Sequence, residues 1–211
     1  MPTLEQARSW YPDDPVHGFD HVQRVVHLAA KIAQAEGADP SIVQAAALLH
    51  DAQYRRQTPT ANRRTAHHHV SADFAAEILA AEGWPEDRIA AVQHCIRAHR
   101  FRDNSEPPQS LEAKILFDAD KLDAIGAVGV IRAVGYALTH DNPPYAEPSP
   151  QFLSTGETLP SEPHSAYHEF LFKLRKLKDR LYTPTAQAIA AERHRVMEEF
   201  FEQLAAEMSG E

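Results

Sequence analysis

Four short stretches place metal-type ligands where a packed helical protein has little need of them. HGFDH sets His17 and His21 one turn apart around the start of a helix, so both imidazoles can face one side. Alone, it reads equally well as a helix start with two part-exposed histidines. LLHD puts His50 and Asp51 directly after the apolar run AAALL. A charge at the end of a central helix is costly unless it is paired or metal-bound. Consecutive residues on a helix point about 100° apart, so both can reach one ion only from an opened or terminal turn. His67, His68 and His69 precede VSADFAAEILA, and three consecutive histidines cannot all face one point. FDADKLDAIG threads Asp118, Asp120 and Asp123 through Phe117, Leu122 and Ile125. Lys121 can pair with one or two of these carboxylates, and a metal is the simplest compensation for the rest.

The elements that must position these residues are helices. Alanine supplies 34 of 211 positions and aromatics only 8%, a bias toward helix and away from pleated surfaces. Val22, Val25, Val26, Ala29, Ile32 and Ala33 keep three- and four-residue spacing and predict a helix over 19–36, ended by Gly37. Asp39 and Pro40 cap the next, whose core IVQAAALLHD is apolar on nearly every side and belongs at the centre. A polar stretch over 53–65 follows, then helices over 68–81, 86–99, 110–122 and 124–138. Six of the 15 prolines fall in 139–163, a long irregular excursion expected to fold as a flap near a pocket mouth, with a disordered insertion as the alternative. HSAYHEFLFKLRKLKDRLY and the run from Thr185 to Glu207 complete the chain as two amphipathic helices. The expected architecture is all-α, one domain over 1–211, with its metal-binding core in about 17–138 and C-terminal helices in 164–208.

A net charge of −9 excludes an extended surface for tracking nucleic-acid phosphates, yet permits a small anionic substrate where a metal or a few cations reverse the local sign. One cysteine, Cys95, excludes an internal disulfide and fits a reducing compartment. The start MPTLEQARSWYPDD has neither a basic nor an apolar leader region, and no apolar run reaches membrane-spanning length, so a cytoplasmic protein without a membrane partner is expected.

The order His21, His50-Asp51, Asp120 reads H…HD…D. With AAALLHD, CIRAHRF and LEAKILFDADKLDAIGAVGVIRA it resembles the HD-domain superfamily of metal-dependent phosphohydrolases, and over most of its length the small single-domain bacterial hydrolases of the YedJ type. The resemblance implies an all-α fold in which His21, His50, Asp51 and Asp120 hold one divalent ion. Relatives with two metals add two histidines between the HD pair and the last Asp, and His67 and His99 fall at those places. His94, His140, His164, His168 and His194 are expected to be structural. Many relatives carry a carboxylate three residues after the HD aspartate, where this chain has Tyr54. The proton-accepting role then falls to Asp123 or to the metal-bound hydroxide.

A ligand set of His and Asp suits Mn²⁺, Fe²⁺, Ni²⁺ or Zn²⁺ better than Mg²⁺, one or two per chain. Such an ion activates water for attack on phosphorus, leaving the protein to supply position and positive charge. Asp51, Lys121 and Asp123 are the expected catalytic residues. His17, Arg55, Arg56, Arg100 and Lys121 are the expected phosphate contacts; Arg63 and Arg64 read as a solvated loop. The expected substrate is a small phosphorylated molecule, a nucleotide or a related ester or anhydride, and a homo-oligomer is compatible with this reading. Two competing readings use the same ligands: a di-iron oxygenase of the same superfamily, distinguished by oxygen-dependent turnover, and a non-catalytic module that keeps its metal for stability.

Overall fold

The computed structural model describes residues 1–11, 18–52, 63–100 and 106–211, with 63–67 described as backbone only. Among the described residues are ten α-helices, one 3-10 helix and no strand, the all-α class that the composition predicts. No single described helix is long and apolar enough to cross a membrane. Contacts gather into two units, one of Met1–Asp120 and Leu181–Ala186, the other of Lys121–Arg180 and Gln187–Glu211.

The first unit holds α1 (Leu4–Arg8), α2 (Phe19–Glu36), α3 (Pro40–Leu49), α4 (Arg63–Ala81), α5 (Glu86–Ala98) and most of α6 (Leu111–Leu122). Gly37 ends α2 in the left-handed region at φ 75°, which only glycine enters freely. The Asp39 carboxylate then caps α3 through the amides of Ser41 (2.9 Å) and Ile42 (3.2 Å), with Pro40 in the first turn. α3 packs against α1, α2, α4 and α5, and Ala45, Ala46, Ala47, Leu48 and Leu49 are fully buried. That centrality follows from an apolar face running all the way round the helix. α4 begins at Arg63, five residues before the expected start, inside the stretch whose polarity suggested a loop.

The second unit holds α7 (Gly126–Thr139), α8 (Pro150–Thr155), α9 (Ala166–Phe172), a 3-10 helix (Leu174–Arg180) and α10 (Pro184–Ser209) beyond Ala186. The single helix expected over HSAYHEFLFKLRKLKDRLY is thus two pieces. Leu174 and Leu177 are both buried, and spacing of three aligns residues on a 3-10 helix as it does on an α-helix, so the apolar pattern does not distinguish them.

The proline-rich segment is folded, not a disordered insertion. Ser149 and Pro150 start α8, and Gly156 ends it at φ 78° against the ring of Phe172, where any Cβ would clash. The Glu162 carboxylate accepts hydrogen bonds from the Ser149 amide and hydroxyl (both 2.7 Å), the Leu159 amide (2.8 Å) and His168 Nε2 (3.0 Å). His168 is itself fully buried, with Nδ1 2.7 Å from the Ser165 hydroxyl. Burial raises the Glu162 pKa, but these hydrogen bonds outweigh it and bring it to about 2. A folded pKa below the unfolded value of about 4.3 stabilises fully above that value and fades as pH falls toward 2. The stability advantage of the native chain over Glu162→Gln, measured by urea unfolding, is expected to be constant above about pH 4.5 and to shrink below it. A difference flat down to pH 2 would show that the charge does not hold this segment.

Candidate metal centre

Three ligand atoms, one each from His21, His50 and Asp51, lie within 4.8 Å of one another. His21 sits in the first turn of α2, and its Nε2 is 3.4 Å from Oδ1 of Asp120 near the end of α6. His50 is the residue that ends α3, and His99 ends α5. The His50 ring centroid lies 5.4 Å from that of His21 and 5.3 Å from that of His99, both edge-on. The structure therefore brings together His21, His50, Asp51, Asp120 and His99, drawn from four helix ends. His17, Arg55, Arg56, Tyr54 and the side chain of His67 lie outside the described residues.

Two imidazoles are fixed in one tautomer by their backbones. His50 Nδ1 is 2.8 Å from the carbonyl of Ala47, and His99 Nδ1 is 2.5 Å from the carbonyl of Ile96. A carbonyl only accepts, so both Nδ1 atoms carry a proton, and in the neutral ring, the form that binds a metal, both Nε2 atoms present a lone pair. Those lone pairs face the Asp51 carboxylate, His50 Nε2 at 3.7 Å from Oδ2 and His99 Nε2 at 3.6 Å from Oδ1. Acceptor faces acceptor, and buried His50 Nε2 has no hydrogen-bond partner among the described residues. A cation between these atoms removes the conflict. Two atoms each about 2.1 Å from one ion lie about 3 to 4 Å apart, which spans these separations. The donor set thus fits a divalent transition metal, with the Nδ1 hydrogen bonds orienting the ligands.

The three carboxylates of FDADKLD, Asp118 and Asp120 on α6 and Asp123 just past its end, have protein partners beside any metal. Asp118 is fully buried but accepts from the Tyr182 amide (2.9 Å), the Thr183 amide (2.8 Å) and the Thr183 hydroxyl (2.7 Å). Burial raises its pKa, and these donors offset part of that rise. Asp123 is buried in the second unit, where Arg132 Nη1 donates to its Oδ2 (2.6 Å) and to its own carbonyl (3.1 Å). So engaged, Asp123 anchors α7 through Arg132. Lys121 also belongs to the second unit, and Arg100 follows His99 as a half-buried residue. Asp120 is the carboxylate seen to reach a histidine, at 3.4 Å from His21. Asp118→Asn, which turns donors toward donors, is expected to cost about 1–3 kcal/mol of stability in thermal unfolding with metal content unchanged; loss of metal would show that Asp118 serves the centre and not only the turn at Thr183.

The remaining expected structural histidines have local neighbours. His94 Nδ1 contacts Glu106 at 2.7 Å, His140 stacks on Tyr136 at 4.0 Å, His164 contacts Glu169 at 3.3 Å and His194 contacts Glu198 at 3.5 Å. One residue at the centre is absent from the sequence-based set. The Tyr11 hydroxyl donates to the Leu48 carbonyl at 2.8 Å. Its pKa is pushed well up, first by burial and then by the Asp51 charge, so the phenol keeps its proton. No spacing rule pairs a tyrosine with a turn 37 residues away.

A family model described as HD domain matches residues 18–125. Over 214 aligned residues the chain is 35% identical to YpgQ of Bacillus subtilis, covering 98% of this chain and 94% of YpgQ. The fold matches the crystal structure of YpgQ in complex with ADP at a TM-score of 0.73, with 32% identity over 99% of both chains. It also matches an HD-superfamily hydrolase of Bacillus thuringiensis at 0.71, with 28% identity over 99% of this chain and 97% of the other. The chain belongs to the HD domain family. Its fold is that of the HD-superfamily hydrolases, of which YpgQ is a relative spanning nearly its whole length.

Proposed function

We propose that this protein is a metal-dependent phosphohydrolase acting on a small phosphorylated substrate, a nucleotide or a related phosphate ester or anhydride. The observation that carries the reading is the placing of His50 and His99, each held by Nδ1 on a backbone carbonyl so that its Nε2 faces an oxygen of Asp51. His21, His50, Asp51 and Asp120 would hold one divalent ion, and His99 with His67 would serve a second. Bound there, the metal supplies Lewis acidity toward a phosphoryl oxygen and a water acidic enough to ionise near neutral pH. The chain's own part is to hold the imidazoles in the ligating tautomer and to bring positive charge to the phosphate. Arg100 is the described candidate, with Arg55, Arg56 and His17 beside it in the reading; a guanidinium grips phosphate through two parallel N–H bonds. ADP bound to the relative YpgQ supports a nucleotide as the class of ligand.

The test is metal analysis of protein purified without chelator or nickel resin, joined to phosphate-release assays over nucleoside mono-, di- and triphosphates, dinucleotides and sugar phosphates. Release that needs Mn²⁺ or another transition ion and stops with EDTA is expected. Stoichiometric metal with no hydrolysis across the panel would make the protein a metal-stabilised module, and oxygen-dependent turnover on iron would make it an oxygenase.

A further inference from the structure

The centre uses two consecutive residues, His50 and Asp51, and an uninterrupted helix would aim them about 100° apart. Helical hydrogen bonding stops at Leu49, although His50 keeps helical dihedrals of φ −59° and ψ −36°. What changes is the partner of each terminal carbonyl. Ala47 O is taken by the His50 imidazole (2.8 Å), Leu48 O by the Tyr11 hydroxyl (2.8 Å) and Leu49 O by the Ala52 amide (3.2 Å). In a continuing helix these carbonyls would go to the amides of residues 51, 52 and 53. The Tyr11 phenol therefore takes a place in the broken ladder, donating to Leu48 O where the amide of residue 52 would do so in a continuing helix. A side chain inserted into the i to i−4 ladder is a recognised cause of a helix departing from its path. Tyr11 is itself placed by Phe19, its ring 6.0 Å away, and Phe19 opens the helix that carries His21.

We infer that Tyr11 is a positioning residue of the metal centre, its hydroxyl holding the last turn of α3 in the form that turns His50 and Asp51 toward one ion. The inference rests on the metal-binding part of the proposed function and not on the identity of the substrate. Tyr11→Phe removes the hydroxyl and keeps the ring. Titration of the metal-free full chain with Mn²⁺ is expected to show the dissociation constant raised about 10- to 100-fold, the usual effect of losing a group that orients a ligand. The melting temperature in EDTA should stay near that of the native chain. The core truncation Ile32→Val should leave the dissociation constant unchanged, since it perturbs packing without touching the turn. In the native metal-free chain, the Ala52 amide, bonded to Leu49 O in the turn that Tyr11 holds, should be protected from hydrogen exchange although it lies beyond the end of α3. That measurement decides the matter even where Tyr11→Phe does not fold. A wild-type dissociation constant in Tyr11→Phe, or an Ala52 amide exchanging at the unprotected rate, overturns the inference. Mn²⁺ binding to the native chain without hydrolysis would remove the phosphohydrolase reading and leave the Tyr11 result standing; a native chain that binds no Mn²⁺ removes both.

Discussion

Asp51→Ala is expected to give a folded chain that holds little metal and hydrolyses nothing measurable. The two oxygens of Asp51 face two different imidazoles, His50 through Oδ2 and His99 through Oδ1. Its removal therefore takes a ligand from whatever ion either histidine holds. Losing only an outer hydrogen-bond partner of a ligand costs about 10- to 100-fold in metal affinity or activity, and losing the ligand itself should exceed that. The carboxylate is part-exposed and is not a core element, so unfolding in EDTA should change by no more than about 1 kcal/mol. Added metal separates the two chains. At a hundredfold excess over its dissociation constant a ligand stabilises the native state by about 2.7 kcal/mol, which for a chain of this size is roughly 5–10 °C in melting temperature. The native chain should show that rise and Asp51→Ala should not. His140→Ala is the control: the ring is exposed and stacked on Tyr136, and its loss should change neither metal content nor hydrolysis. An Asp51→Ala chain with stoichiometric metal would remove Asp51 from the ligand set.

The residues gathered at the centre were legible because each carries a local contradiction. His50 and Asp51 end a helix otherwise fully apolar, and His21 follows a glycine-led helix start. The helix bounds of α2 and α5 follow from caps and three-to-four spacing, which are local too. The carboxylates around the end of α6 were less legible for the opposite reason. Asp118 and Asp123 present the same contradiction in sequence as Asp120, but their relief comes from Thr183 and Arg132, and nothing in the residues around Asp118 announces a partner 65 positions on. Tyr11 escaped for the same cause. It lies in a polar N-terminal stretch, and its duty appears only when the Leu48 carbonyl is found to need a donor. Buried need is visible in a sequence, whereas the group that answers it becomes visible only in the fold.

His99→Ala tests whether the centre holds two ions. His99 stands apart from the group of His21, His50 and Asp51 that lies within 4.8 Å, and the atom it faces is Asp51 Oδ1, the oxygen turned away from the His50 contact. Its Nδ1 proton is held on the Ile96 carbonyl, so its Nε2 lone pair is oriented as a ligand although its partner at this centre is another acceptor. A histidine that served only packing would have no reason to aim a lone pair at a carboxylate in a buried setting, where acceptor against acceptor costs free energy. If that lone pair belongs to a second ion, His99→Ala should lower the metal content of Mn²⁺-loaded protein from about two to about one per chain, since a two-metal site needs ligands for each ion. The site of His21 and Asp120 should stay filled, and its Mn²⁺ affinity should be close to that of the native chain. Hydrolysis should fall well below that of the native chain, because one ion would no longer share the charge on the transferred phosphoryl group. Elemental analysis and calorimetry together read both numbers. One ion per chain in the native protein, with His99→Ala binding it equally well, would reduce the centre to His21, His50, Asp51 and Asp120 and leave His99 with the packing of α5 as its only role.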